Sequence, residues 1–124
     1  MKYMILLYGN QKAWDALSDV EIDELAHVHA VIQKDLRETG EFVSSSELDE
    51  NDAAVVRSNQ GALITQDGPY SEGESILSGY YGVDCTDISR ATAIARRFAE
   101  IKFAPIEVRR LDDGSTWIEL QKLR

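Results

Sequence analysis

The sequence is poor in the residues that define several common protein classes. Its single cysteine, Cys85, excludes a disulfide within the chain, which favours a reducing compartment, so we expect a cytoplasmic protein. No apolar run approaches the ~20 residues of a membrane span, so we expect no membrane partner. Lysine and arginine number 13 against 22 acidic residues, which gives a net charge of −9. Because a negative field repels phosphate backbones, we expect no nucleic-acid partner.

The sequence also lacks the motifs that bind common metals and cofactors. No cysteine and histidine residues have the spacing of a zinc site. The Asp112-Asp113-Gly114 triplet is typical of a turn, whereas a calcium loop spreads its ligands over about twelve residues. Gly68, Gly73 and Gly79 do not form a dinucleotide or phosphate-binding fingerprint. We therefore expect no metal and no cofactor.

What is present predicts one α+β domain over all 124 residues. The clearest local signal is a helix that begins after Ser18 and ends before Gly40. Ser18 and Glu21 have the spacing of a capping box, and glycine adopts the closing left-handed conformation at low cost. Apolar residues and one histidine recur at spacings of three and four, which predicts a single helical stripe: Ile22, Leu25, His29, Ile32 and Leu36.

Further elements are predicted on both sides of this helix. Tyr3 to Tyr8 is a strand apolar enough to be buried on both faces, and Gln11 to Leu17 is a connecting loop. After the helix, a short strand starts at Phe42, and Ala53 to Arg57 forms a hairpin with Ala62 to Thr65 that turns at Asn59-Gln60-Gly61. The remaining strands are Gly79 to Cys85 and Ile106 to Leu111. Asp87 caps a second helix with the buried stripe Ile88, Ala91, Ala95 and Phe98. Thr116 to Leu120 is a last edge strand or arm.

The order of these elements is β-α-β-hairpin-β-α-β. It predicts a ferredoxin-like βαββαβ fold with an inserted hairpin and two helices on one face of an antiparallel sheet. Tyr80 and Tyr81 then point to opposite faces of their strand. Because the uncovered face carries many apolar residues, we expect it to meet a second copy of the chain in a homodimer.

Two residues are candidates for acid–base chemistry. His29 lies on the apolar stripe of the first helix, where a buried imidazole needs hydrogen-bond partners and a nearby carboxylate would fix its tautomer. A histidine satisfied by a backbone carbonyl is the structural alternative. Asp67 precedes Gly68-Pro69, where a polar loop meets the mouth of the sheet. Its structural alternative is to cap that turn.

The block from Asp67 to Glu72, Asp-Gly-Pro-Tyr-Ser-Glu, is followed by Gly79-Tyr80-Tyr81 and resembles the signature of the YCII-related family in its DGPF branch. The resemblance includes His29, eleven residues before Gly40, and also Tyr3 to Tyr8 and Glu107-Val108-Arg109. Some positions depart from the family's usual residues: Tyr70 replaces Phe, Ser71 replaces Ala, and Glu74-Ser75 replaces Lys-Glu. The cation that relatives carry there is missing.

The resemblance implies a dimeric α+β barrel, in which two sheets pack face to face, and a functional pair of His29 with Asp67. The candidate substrate-binding residues are Tyr8, Tyr70, Glu72 and Tyr80, and a tyrosine offers an apolar body with a polar tip. Two functions stay open. One is a small cofactor-independent enzyme in which His29 is the acid or base and Asp67 orients it. The alternative is a small-molecule-binding or accessory regulatory protein without catalysis, because genes of DGPF-type proteins often lie beside alternative sigma factors.

Overall fold

A computed structural model describes residues 1–71, 73, 75–112 and 114–123, and Glu72, a candidate substrate-binding residue, lies outside them. The strands are β1 (Lys2–Gly9), β2 (Phe42–Glu47), β3 (Ala54–Asn59), β4 (Ala62–Asp67), β5 (Ile76–Asp84) and β6 (Ile106–Arg110). The helices are α1 (Gln11–Asp15), α2 (Asp19–Thr39), α3 (Ile88–Ala95) and α4 (Ser115–Lys122), with a 3-10 helix at Ala99–Lys102. Within the described ranges, no helix combines the length and apolarity of a bilayer span.

Four strands form an antiparallel sheet in the order β2-β5-β1-β6, and β3 pairs with β4 in a separate antiparallel hairpin. The predicted α+β class with antiparallel sheets is therefore confirmed. In the central strand β1, Ile5 lies opposite Tyr81 of β5 and Val108 of β6. Both faces of β1 were expected to be buried, but in the single chain only one of them is. Its residues alternate between buried and partly exposed, with Tyr3 and Leu7 buried, because the core covers one face of the sheet.

The hydrophobic core lies between that face of the sheet and the helices. Its buried residues are Tyr3, Ile5, Leu7, Ile32, Leu36, Tyr81, Val83, Cys85, Ala91, Ile94, Ala95 and Phe98. A paired carboxylate and guanidinium then fix α3 against the turn between α2 and β2, since Arg90 donates two hydrogen bonds to Glu41, of 2.9 and 2.7 Å. These hydrogen bonds hold the pKa of the Glu41 carboxyl below its ordinary value.

Helix α2 begins and ends where its sequence signals predict. The Ser18 side chain accepts a hydrogen bond from the backbone N–H of Glu21, whose carboxylate accepts one from the backbone N–H of Ser18. Gly40 closes the helix with φ of 79°, a conformation that residues with a Cβ adopt at a cost. Ile32 and Leu36 of the predicted stripe are buried, but Ile22 near the start of the helix is exposed.

Three local predictions are corrected. The expected loop from Gln11 to Leu17 contains α1, because the Asn10 side chain accepts the backbone N–H of Ala13 and so caps a short helix. In α3, Ile88 is exposed, and Ile94 is buried in its place beside Ala91 and Phe98. The segment from Thr116 to Leu120, expected as a strand or arm, lies in α4, since a short apolar run fits either structure.

Candidate active site

A cavity of about 770 Å³ opens between α2 and the covered face of the sheet. Its volume lies within the range of pockets that bind small molecules. Its lining comes from α1, α2 and the turn between them, from β1, from β2 with the loop that follows, from β5, and from the 3-10 helix. Hydrogen bonds join four of the polar residues on its wall: His29, Gln33, Tyr81 and Glu100.

His29 is placed by the register of α2. It lies one turn before Ile32 and two before Leu36, both of which are fully buried in the core. Its ring packs against two core aromatics, with centroids 5.6 Å from Tyr81 and 5.3 Å from Phe98. About a quarter of its side chain, 26%, stays accessible, on the side that lines the cavity. The imidazole is therefore held firmly and can still reach a bound molecule.

Both ring nitrogens of His29 have protein partners. Nδ1 lies 2.7 Å from the hydroxyl oxygen of Tyr81, and Nε2 contacts Oε2 of Glu100. Gln33, one helical turn after His29, donates from its Nε2 to the same tyrosine oxygen at 2.9 Å. Because that oxygen accepts from Gln33, its own proton is free to be donated to Nδ1, which leaves the histidine proton on Nε2 to be donated to Glu100. One assignment of protons thus satisfies all the hydrogen bonds that run from Gln33 through Tyr81 and His29 to Glu100.

Tyr81 is the core residue that connects the sheet to this chain of hydrogen bonds. It points to the covered face of β5, opposite Ile5, and only 2% of its surface is accessible. Its ring lies 4.7 Å from that of Phe98 and 6.3 Å from that of Phe42, centroid to centroid. These contacts fix the direction of its hydroxyl, which reaches the end of the core where the cavity begins.

Glu100 is a buried carboxylate, a rare feature unless the charge is paired. It lies in the 3-10 helix after Phe98, and 6% of its surface is accessible. Oε2 contacts His29, whereas Oε1 is buried without a hydrogen-bond partner among the described residues. A buried oxygen of this kind costs about 1–3 kcal/mol, and it is therefore a place where a bound donor would gain most.

Asp67, expected to pair with His29, lies at the end of β4 in the separate hairpin. Among the described residues no hydrogen bond joins the two, and the imidazole nitrogens contact Glu100 and Tyr81 instead. At the same end of the hairpin, the Gly68 N–H donates to the Ala53 carbonyl at 2.7 Å. The role of Asp67 stays a prediction, but its expected contact is not present in the single chain.

The candidate substrate-binding tyrosines lie away from His29. Tyr70 is 75% exposed, and the guanidinium of Arg57 lies 5.4 Å from its ring centroid. Tyr8 and Tyr80 point to the uncovered face of the sheet, opposite to Tyr81. The Tyr8 hydroxyl donates to Glu107 at 2.8 Å, and this hydrogen bond raises the pKa of Tyr8 above its ordinary value.

The sequence interpretation missed two residues of this hydrogen-bond chain, Gln33 and Glu100, and did not select the third, Tyr81. The register with β1 places Tyr81, and not Tyr80, on the covered face of the sheet. Gln33 carries a recognisable signal, since it lies four residues after His29 on the same side of α2. Glu100 carries a weaker one, a charge within an apolar stretch.

Comparisons with known proteins agree with this architecture. The sequence model of the YCII-related domain matches residues 1–113. An uncharacterized protein of Rhizobium meliloti (strain 1021) is 29% identical over 97 residues, which cover 77% of this chain and 78% of that protein. The solved structure of 5-chloro-2-hydroxyhydroquinone dehydrochlorinase (TftG) from Burkholderia phenoliruptrix AC1100, in complex with 2,5-dihydroxybenzoquinone, has a TM-score of 0.53. That match covers 94% of this chain and 98% of the other at 13% identity, so it concerns the fold alone.

Proposed function

We propose that this chain, which belongs to the YCII-related family, is an enzyme that transfers a proton to or from a small organic substrate. The observation that carries the proposal is the position of His29, held between a buried carboxylate and a buried phenol on the wall of a cavity of about 770 Å³. Perturbed or paired ionisable groups that meet in a cleft are typical of catalytic sites.

The hydrogen-bond chain gives each group a role. Tyr81 receives a proton from an acidic O–H or C–H of the substrate as it passes its own proton to Nδ1 of His29, 2.7 Å away. Glu100 stabilises the imidazolium that forms, and it holds the ring in the tautomer that leaves Nδ1 free to accept. Gln33 keeps the tyrosine oxygen in place through its 2.9 Å hydrogen bond. Return of the proton to another atom of the substrate, or to water, completes the cycle.

The reaction class that fits this chain is tautomerisation, or elimination that begins with loss of a proton. The activity for which the structural neighbour is named, dehydrochlorination of a chlorinated hydroxyhydroquinone, is of this kind. In such a reaction the ring first tautomerises: a ring hydroxyl loses its proton and becomes a carbonyl as the carbon that bears chlorine gains a proton. A base then takes a proton from a second ring hydroxyl, whose O–H electrons form another carbonyl. The neighbouring double bond shifts to the carbon that bears chlorine, and chloride leaves with the electrons of its C–Cl bond. The neighbour supports the proposal only through the likeness of the fold, since the two sequences are 13% identical.

The test is a turnover screen with matched variants. The protein is incubated with chlorinated and unchlorinated hydroquinones and with small enolisable ketones, and chloride release, ultraviolet spectra and deuterium uptake are followed. We expect turnover of at least one compound, and a loss of about 10²–10⁴-fold in His29→Gln and in Glu100→Gln. Tyr80→Phe is the matched control for Tyr81→Phe, because the two tyrosines are adjacent but only Tyr81 contacts His29.

The variants also decide between the two carboxylates. If Asp67→Asn abolishes turnover and Glu100→Gln leaves it intact, the proposed role of Glu100 is wrong and the predicted pair of His29 with Asp67 is right. If a compound binds saturably and is recovered unchanged under all conditions, the protein is a binding or accessory protein. Circular dichroism of each variant establishes that the fold is retained.

We also propose that the sheet is ferredoxin-like and that two copies close a dimeric α+β barrel. The order β2-β5-β1-β6 supports the first proposal. The uncovered face supports the second, since Met4, Leu6 and Tyr8 are only partly buried in the single chain. Light scattering near twice the 13.9 kDa of the chain would agree with the dimer, and a stable monomer at micromolar concentration would contradict it. Assignment to the DGPF branch remains a prediction of the motif that begins at Asp67.

A further inference from the structure

The cavity beside His29 has a one-sided charge. Five carboxylates line it, and no lysine or arginine does so among the described lining residues. The five acidic residues are Asp15, Glu47, Asp49, Glu50 and Glu100. Within the described part of the chain, none of the four other than Glu100 forms an ion pair, so their charges are not neutralised by the protein.

The loop after β2 contributes two of these carboxylates, Asp49 and Glu50. The Asp49 side chain accepts backbone hydrogen bonds from Asn51 and Asp52, at 2.7 and 3.0 Å. These hydrogen bonds hold the pKa of the Asp49 carboxyl below its ordinary value. The loop thus presents an ionised carboxylate at the cavity near neutral pH.

The cavity also has an apolar part of its wall. It is formed by side chains of α1, of α2 and of the turn between them: Trp14, Leu17, Ile22, Leu25 and Ala26. Trp14 is fixed there by an edge-on contact with Phe103, with ring centroids 5.8 Å apart. Ile22 is 47% exposed although it lies on the apolar stripe of α2, since that stripe passes from the core to the cavity. An apolar body would bind against this wall.

Glu100 supplies a sign of a ligand that is independent of the charge, because it lines the cavity and one of its carboxylate oxygens, Oε1, is buried without a partner in the described structure. The residue as a whole is 6% exposed. An ionised carboxylate oxygen accepts hydrogen bonds and donates none. A group that satisfies this oxygen is therefore a donor, such as a hydroxyl or an amine.

We propose that the cavity binds small, apolar-bodied molecules that are uncharged or positively charged and that donate a hydrogen bond to Oε1 of Glu100, and that it rejects carboxylates and phosphates. This rests on the proposed function in that it names the substrate class of the same site. The physical reason is that an anion would enter a field of five negative charges without a cation to pair with. A phenol or an amine would instead satisfy a buried acceptor.

The test compares three probes that share a 4-hydroxyphenyl body: tyramine, which is cationic, 4-hydroxyphenethyl alcohol, which is neutral, and 4-hydroxyphenylacetate, which is anionic. Trp14 lines the cavity and serves as a fluorescent reporter. The chain has two tryptophans, and Trp117→Phe removes the other, which is 78% exposed in α4. Binding is measured in this background by excitation at a wavelength that tryptophan alone absorbs.

We expect tyramine and the alcohol to bind at least about tenfold more tightly than the carboxylate at low ionic strength. Salt should shrink this difference, because Asp15, Glu47 and Asp49 are exposed and the field of exposed charges is screened over about 10 Å at 0.1 M salt. The double variant Glu47→Gln/Glu50→Gln should lose part of this difference in affinity. The control Glu38→Gln/Glu119→Gln changes the net charge by the same amount, at exposed residues outside the cavity lining, and should keep the full difference. Glu100→Gln should weaken the alcohol severalfold.

Equal affinity for the three probes, or a preference for the carboxylate, would overturn the inference. The probes are tested up to about 10 mM, because a single phenol ring is small for this cavity. Failure of all three to bind at that concentration would overturn the inference as well. Binding is measured without turnover, so an inactive protein that still discriminates by charge would refute the proposed function and leave this inference standing. Turnover of an anionic substrate would instead refute this inference and leave the proposed function standing.

Discussion

Replacement of Tyr81 by phenylalanine removes a single oxygen from the centre of the proposed site. The ring stays in its contacts with Phe98, Phe42 and His29, so the change probes the hydroxyl alone. Two hydrogen bonds are lost, one of 2.7 Å to His29 and one of 2.9 Å from Gln33. A buried hydrogen bond contributes about 0.5–1.5 kcal/mol net, so the sum lies at about 1–3 kcal/mol.

The location of the partners narrows this range. His29 is partly accessible and Gln33 is half-buried, and both line the cavity, so water can replace the lost hydroxyl for each of them. We therefore expect the free energy of unfolding to fall by about 1–2 kcal/mol, with an unchanged dependence on urea concentration. For a chain of this size the melting temperature should fall by roughly 4–8 °C.

The adjacent Tyr80→Phe variant is the matched control. Its hydroxyl lies on the other face of the sheet and has no hydrogen-bond partner among the described residues, so we expect a change within about 0.5 kcal/mol. In a double-mutant cycle, Tyr81→Phe and Gln33→Met should couple by about 0.5 kcal/mol or more. If Tyr81→Phe is as mild as Tyr80→Phe, the hydroxyl is not engaged and the chain of groups through His29 is refuted.

Three further predictions concern other contacts. Arg90 lowers the pKa of Glu41 in the folded protein. The pair therefore stabilises the fold fully at pH values above the ordinary carboxyl pKa, and this stabilisation is lost as the pH falls through the lowered pKa of Glu41. Arg90→Ala should then lower the free energy of unfolding by about 1 kcal/mol at pH 7, a value limited by the solvent exposure of Arg90. In urea unfolding at pH 3 the loss should be smaller, and an equal loss at both pH values would contradict this. Glu107→Gln should lower the raised pKa of Tyr8 in an ultraviolet titration, and an unchanged titration would exclude their hydrogen bond. Ser18→Ala should lower the unfolding free energy by about 1 kcal/mol through loss of the cap, whereas no change in thermal unfolding would exclude it.

The parts of the fold that sequence predicts well are those with a local cause. Helix α2 is set by residues within one turn of its ends, Ser18 with Glu21 and Gly40, and the structure contains all of these contacts. The hairpin turn at Gln60-Gly61 has φ of 52° and 87°, the left-handed pair that a two-residue turn requires. Each signal lies within a few residues of the structure it specifies, so it can be read without knowledge of the rest of the chain.

The face of a strand is a different kind of question. The sequence predicts that Tyr80 and Tyr81 point in opposite directions, and they do. It does not say which of them meets the helices, because that depends on pairing with a strand more than seventy residues away. The register sets Tyr81 opposite Ile5, and a shift by one residue would have exchanged the two. The role of Tyr80 as a substrate-binding residue stays a prediction, and the register places it on the uncovered face.

Glu100 shows where reasoning from the sequence reaches its end. The stretch from Phe98 to Ile106 is apolar apart from two charges, Glu100 and Lys102, and either one interrupts it equally. The 3-10 helix separates them, since Glu100 is buried and Lys102 is exposed. His29 precedes Glu100 by 71 residues, and no spacing rule joins them. A buried acid is stabilised by its partner, so its burial follows from the packing of α2 against this turn and cannot be inferred from either segment alone.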